Sequence, residues 1–255
     1  MIFPIASYLA LVLVLIVVGL TVFLRWGSRW GSTPEERALE LPGDAYLDGG
    51  STARLVMTRA VSIRARPESV WPWLAQLGRG AGWYSIDWLD NRGRTSARHL
   101  VSWIPEARVG DASPIGYLRH IELGRGMVWW LRGLRFAGAR ARLVMEMRLS
   151  REGEGARLVI RASADATGPT ARVALLVFEF IDSVMARRQL LGIRQRVELY
   201  GARLADPEAP ETGAADQYQL YEVIYASGER AGVRGKEHAE YWRQTAIEDG
   251  FLSHT

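Results

Sequence analysis

The sequence predicts an α+β domain behind an apolar N-terminal helix, and three observations carry that expectation. The stretch from Thr170 to Ala202 (TARVALLVFEFIDSVMARRQLLGIRQRVELYGA) holds no proline between Pro169 and Pro207, the pattern of one long helix. Several stretches before it alternate apolar and polar residues with a period of two, as strands do. The order is strand, two short helices, a run of antiparallel strands, then the long helix. Such segregation argues for an α+β domain rather than a βαβ repeat.

The totals bound the function. A chain of 255 residues holds one large domain with appendages, and 48% hydrophobic with 24% charged residues is ordinary for a folded protein. The net charge of +4 is small and its arginines are scattered, so no nucleic-acid footprint is present. There is no cysteine, which excludes disulfides, thiolate metal sites and a cysteine nucleophile. His99, His120, His238 and His254 are too dispersed for a zinc motif, and no cofactor is implied.

Ile5 to Leu24 is twenty residues without a charge, about the length of a bilayer-spanning helix. A cleaved signal peptide is the rival reading. It calls for a basic start, which Met1 to Pro4 does not have, and a small-residue cleavage site, whereas LRWGSRWG follows. The expectation is an uncleaved single-pass anchor. Arg25, Arg29 and Arg37 then place the main domain in the cytoplasm, with Trp26 and Trp30 at the membrane interface. Residues 1–31 are therefore anchor and flank, and 32–51, with Pro34, Pro42 and three glycines, a linker.

Within 52–205, Arg54 to Arg64 alternates as a strand that puts Arg59 on its apolar face, where a structural ion pair is expected. Pro67 to Leu77 starts a short helix at Pro67, and Pro72 limits it. Trp83 to Asn91 is expected to be a second short helix with Ser85 as its cap. Ile115 to Leu123, Met127 to Leu131, Arg140 to Ser150 and Ala156 to Ala164 follow as strands, the last two joined by the Glu152–Gly155 turn as a hairpin. Residues 206–255 hold an acidic linker and an extension. In it Leu220 to Tyr225 is an apolar cluster, Ser227 to Gly235 a loop, and Lys236 to Asp249 a helix.

The stretch TRAVSIRARPESVWPWLAQLGRGAGWYSIDWLDN (Thr58 to Asn91), with PEARVGD (Pro105 to Asp111) and RRQLLGIRQRVE (Arg187 to Glu198), resembles the SRPBCC superfamily of START-like, Bet v 1-like helix-grip proteins. It is most similar to bacterial members of polyketide cyclase/dehydrase and lipid-transport type. The resemblance covers roughly Ser51 to Ala202. It implies a curved antiparallel sheet gripping the long helix, with a hydrophobic cavity between them. Function within that superfamily is diverse and does not follow from the fold.

The chain lacks G-x-S-x-G, a Walker loop and a Rossmann glycine pattern. GRGAGW (Gly78 to Trp83) lies between two helices, the wrong place for a phosphate cradle. The remaining route to catalysis is a buried acid/base group, with Asp87 and His120 as weak candidates and Glu146 and Glu179 behind them. For all four, a solvated face, a cap or an internal ion pair is the plainer account. The residues expected to touch a ligand are Trp71, Trp83, Tyr84, Asp87, Trp88, Trp103, Tyr117, Trp130 and Leu191. Of Trp129 and Trp130, alternation lets at most one face the interior. Such walls suit a lipid, isoprenoid, quinone or polyketide-like molecule. The expected function is therefore membrane-anchored binding of a hydrophobic small molecule. The alternatives are a cyclase/dehydratase-type lyase and a scaffold that recruits a protein through Gln217–Thr255.

Overall fold

Strand pairing follows the alternation in the sequence. In the computed structural model the described residues are 5–47, 51–91, 93–101, 104–113, 116–136, 138–201, 220–224 and 230–234. The strands β1 (Ala53–Ile63), β2 (Ala112–Ser113), β3 (Gly116–Glu122), β4 (Gly126–Phe136), β5 (Ala139–Glu152) and β6 (Gly155–Thr167) form one antiparallel sheet in the order β1-β6-β5-β4-β3-β2. The first strand thus pairs with the last, and irregularities at Leu118/His120 and Leu131/Leu134 bend the ladder. Helices α3 (Pro67–Ala75) and α4 (Asp87–Asp90) fill the connection after β1, and α5 (Ala171–Tyr200) follows β6. The expected long helix is there almost to the residue.

One sheet face carries Met57, Val61, Ile63, Leu118, Met127, Trp129, Met147, Leu158 and Ile160, all buried. It packs against Trp73 and Leu74 of α3 and Leu190, Ile193 and Val197 of α5 in one continuous core. Each such side chain contributes about 1.5–3 kcal/mol on burial. At the other end of α5, Ala171 and Leu175 pack on Ala141, Leu143, Ala164 and Ala166. Small residues there let helix and sheet approach closely.

The opposite face carries the polar half of the alternation, yet it is not left to solvent. Residues of the expected linker cross it as a strap: helix α2 (Pro34–Ala38), closed by a Thr33–Glu36 capping box, and a 3-10 turn at Pro42–Leu47. Leu47 packs on Val128 and Val144. Arg161, 4% exposed, donates to the carbonyls of Leu39 (2.6 Å), Glu36 (2.9 Å) and Arg37 (3.2 Å), to Thr58 Oγ1 (3.1 Å) and to Asp44 (2.7 Å). Arg157 pairs with Glu36 at 2.7 Å, and Glu146 accepts from the Gly43 amide at 2.6 Å. Burial pushes the Glu146 carboxyl above its ordinary range.

Helix α1 (Ile5–Gly27) exposes its apolar surface, and Ser7–Gly27 is long and apolar enough to cross a membrane. Its end is joined rigidly to the domain. The amides of Thr58 and Ala60 donate to the carbonyls of Ser28 (3.0 Å) and Trp30 (3.1 Å), so these two amides of edge strand β1 find partners in the turn after α1. Gly27 abuts α5 so closely that a Cβ there would sit 2.5 Å from Ser183 Cβ. Arg59 is fully buried at this junction, as the expected ion pair: Nη1 lies 2.5 Å from Asp182 Oδ2, and Nε donates to the Gly27 carbonyl at 2.7 Å.

Two local expectations change. The helix expected over Trp83–Asn91 shrinks to α4, because Tyr84 takes a positive φ of 58° that no helix accommodates. Ser85 does not cap it; its hydroxyl donates to the Met185 carbonyl instead. In the extension, β7 (Leu220–Ile224) and β8 (Arg230–Arg234) form a hairpin, so the expected loop Ser227 to Gly235 is largely strand. The helix expected at 236–249 lies outside the described residues.

Replacing Arg59 by Leu strands the Asp182 carboxylate and the Gly27 carbonyl; thermal unfolding in detergent should show a loss of about 3–5 kcal/mol. Arg161→Lys keeps the charge but not the five-donor fork. It should cost about 2–3 kcal/mol and open the strap at 32–47 to limited proteolysis.

Candidate functional site

Trp73, Trp83, Tyr84 and Trp129 meet in the interior between α3, the loop after it, the sheet and α5. The loop is held from inside. Arg79 is 4% exposed, with Nε 2.8 Å from Asp111 and its other nitrogens donating to the carbonyls of Ala75 and Pro105, both at 2.6 Å. That is the work of GRGAGW and PEARVGD: the arginine of the first fastens the second. It also turns the arginine inward, away from any phosphate.

Trp73, Trp83 and Trp129 are each at most 1% exposed. Trp83 meets Trp129 edge-on at 5.1 Å, and Trp73 meets Tyr84 at 6.0 Å. Trp73 Nε1 donates to the Gly201 carbonyl at 2.8 Å, and Trp129 Nε1 contacts Met127 Sδ at 3.2 Å. Trp83 Nε1 is buried without a hydrogen-bond partner. A buried donor left unpaired costs about 1–3 kcal/mol.

A latch of polar contacts closes α5 over this interior. Ser85 Oγ donates to the Met185 carbonyl (2.9 Å), Arg188 Nε to the Ser85 carbonyl (3.0 Å), Gln189 Nε2 to the Trp83 carbonyl (3.0 Å) and Arg196 Nε to the Ala97 carbonyl (2.8 Å). Gly192 is required for this approach, since a Cβ there would stand 2.4 Å from the main-chain carbonyl oxygen of Tyr84. The Tyr84 hydroxyl accepts from Gln76 at 2.6 Å, the Arg196 guanidinium lies 4.5 Å from its ring centre, and burial pushes the phenol pKa up. Holding Tyr84 at positive φ stores about 1–3 kcal/mol of strain at the latch.

The expected ligand residues divide. Trp83 and Tyr84 are in the interior, and Trp71 is half-buried at its edge. Trp88 is 73% exposed and points away. Tyr117 and Trp130 stack on each other at 6.4 Å on the strap face, so Trp129, not Trp130, is the interior ring of that pair. Leu191 is half-buried, one residue from Leu190, which faces the core at 0% exposure. Trp103 lies outside the described residues. A shallow groove of about 290 Å³ near Ile63, Arg64 and Glu152 is at the far end of the sheet from α5's start.

The acid/base candidates do not converge. Asp87 accepts from the amide (3.1 Å) and hydroxyl (2.5 Å) of Ser96 and so builds its own loop. His120 is exposed on β3. Glu179 is half-buried and its pKa is raised by burial. The group that sequence reasoning passed over is Asp90, 3% exposed, with Oδ1 unpartnered. Burial first, then the nearby Asp87 charge, pushes its pKa up to about 6. Its only signal was its place three residues after Asp87.

Folded Asp90 keeps its proton up to about pH 6, whereas an unfolded Asp releases it near pH ~4. Stability should therefore fall as pH rises from about 4 to about 6 and stay lower above that. Asp90→Asn should remove this slope and raise the unfolding temperature at pH 8 by about 2–4 °C, measured by thermal melts at pH 4 and pH 8.

No family model matches the sequence, and no curated protein does. Among solved structures, the chain is similar to a protein from Mesorhizobium loti at 14% identity and a TM-score of 0.37, over 58% of this chain and 98% of that one. A protein from Nitrosomonas europaea is similar at 12% identity and a TM-score of 0.35, over 56% and 94% of the two chains. Ara h 8.0201 is similar at 11% identity and a TM-score of 0.34, over 57% and 96%.

Proposed function

We propose that the chain is a membrane-anchored binding protein whose sheet and long helix take up a hydrophobic small molecule: a lipid, isoprenoid, quinone or polyketide-like compound. The observation that carries this reading is the Trp83 indole N–H, an unpaired donor in an interior otherwise walled by aromatic and aliphatic side chains. A greasy ligand with one carbonyl or hydroxyl oxygen would satisfy it. Helix α1 supplies the second half of the argument. A tether at the bilayer raises the effective concentration of a membrane-resident ligand, and the exposed Arg25 in its last turn and Arg29 just after it favour a cytoplasmic domain.

Trp73, Trp83 and Trp129 are packed together in the described interior, so a ligand that reaches Trp83 Nε1 displaces side chains there. The latch between residues 83–97 and α5 is the element to open: four side-chain hydrogen bonds hold it shut, and the strained Tyr84 favours its release. A second reading is a tethered scaffold that binds a protein through its C-terminal extension, in which β7 and β8 pair. An acid/base lyase has less support, because Asp87 is engaged by Ser96 and His120 is exposed on another element.

Native mass spectrometry and solvent extraction of the detergent-purified protein test the proposal. A bound apolar species is expected, with several-fold lower occupancy in Trp83→Phe, which keeps an aromatic side chain and removes the donor. If no apolar species is recovered, and a panel of lipids, isoprenoids and quinones leaves the unfolding temperature unchanged, the scaffold reading replaces it.

A further inference from the structure

The outer face of α5 has no role in the core or in the latch. Val173, Leu176, Val177, Phe180, Ile181 and Val184 recur at steps of three and one, which puts them on one stripe. All six are 42–52% exposed, opposite the buried Ala171, Leu175, Ala186 and Leu190. A soluble surface rarely leaves so many large apolar side chains contiguous.

Three contacts tie this stripe to α1. Phe180 meets Phe23 with ring centres 5.4 Å apart, Ser183 abuts Gly27, and the Arg187 guanidinium lies 5.7 and 5.2 Å from the ring centres of Trp26 and Trp30. Both chains advance in the same direction through these contacts. The helices are therefore parallel there, and the first half of α5 runs back toward the apolar body of α1. From Arg187 to Val173 is about 21 Å of helix. Two tryptophans and an arginine mark one end of the stripe, the composition of a membrane–water interface.

We propose that the outer stripe of α5 is a second membrane contact, running alongside α1 from the interfacial Trp26, Trp30 and Arg187 toward the acyl chains. The domain is then held against the bilayer in one orientation by two elements instead of swinging on a tether. This inference rests on the reading of α1 as an anchor, and the test separates the two.

The chain has no cysteine, so single labels need no background removal. Val14→Cys in α1, Val173→Cys and Val177→Cys in the stripe, and Glu154→Cys in the exposed β5–β6 turn are each made in the full chain. Each is labelled with a bimane and placed in vesicles of phosphatidylcholine and phosphatidylglycerol. Quenching by nitroxide-bearing lipid is compared with quenching by aqueous iodide. The expected result is a lipid-to-iodide ratio at least three-fold higher at positions 14, 173 and 177 than at 154. Lipid quenching at 14 with iodide quenching at 173 and 177 overturns the stripe assignment and leaves the anchor standing. Protection of 173 and 177 from both quenchers also overturns it, in favour of a protein surface on the stripe. Iodide quenching at 14 overturns the anchor and the stripe together.

Discussion

The guanidinium of Arg59 is the constraint on which the arrangement turns. It is completely buried on the apolar face of β1, where an unpaired charge is untenable. Its partners come from three elements: Met57 Sδ on its own strand, Asp182 in the middle of α5, and the Gly27 carbonyl at the end of α1. The pairing therefore sets how far along the sheet α5 lies and where α1 leaves the domain. Such buried pairs add little net stability against an apolar replacement of both partners, but losing one partner is expensive. Their effect is to make one registration far better than its neighbours.

A second guanidinium acts the same way on the other face. Arg161 directs its donors to the main-chain carbonyls of Glu36 and Arg37 in α2 and of Leu39 just after it. Those carbonyls need partners once buried, and a strand arginine supplies them in a planar fork. The sheet is thus covered on both faces, by α5 on one and by the strap on the other. The polar residues of its alternation become the attachment points of the strap.

The interior combines dense aromatic packing with local discomfort. Trp83 has an unpaired donor, Asp90 an unpaired carboxyl oxygen, and Tyr84 a backbone angle that side chains avoid. All three lie between residues 83 and 90, where the loop meets α5. Elsewhere Arg59, Arg79 and Arg161 are each bound by several acceptors. Concentrated strain of this kind makes the latch the region most easily opened.

By itself the sequence determined the α+β class, the strands and their hairpin, the span of α5, the apolar length of α1 and the internal pairing of Arg59. These follow from chain-local patterns: period-two alternation, proline and glycine punctuation, and a charge out of place on an apolar face. Only the tertiary structure decided which faces are buried and which aromatics meet. The polar face of β5 and β6 is covered by a strap that carries no periodic signal, so Glu146 and Arg161 looked solvated and are not. Trp129 and Trp130 could not be assigned to inside or outside from alternation, because that depends on which face α5 takes. Asp87 was legible as an acidic residue among aromatics, but its engagement by Ser96 and the burial of Asp90 arise from a loop path set by Tyr84, and a local pattern does not encode a path.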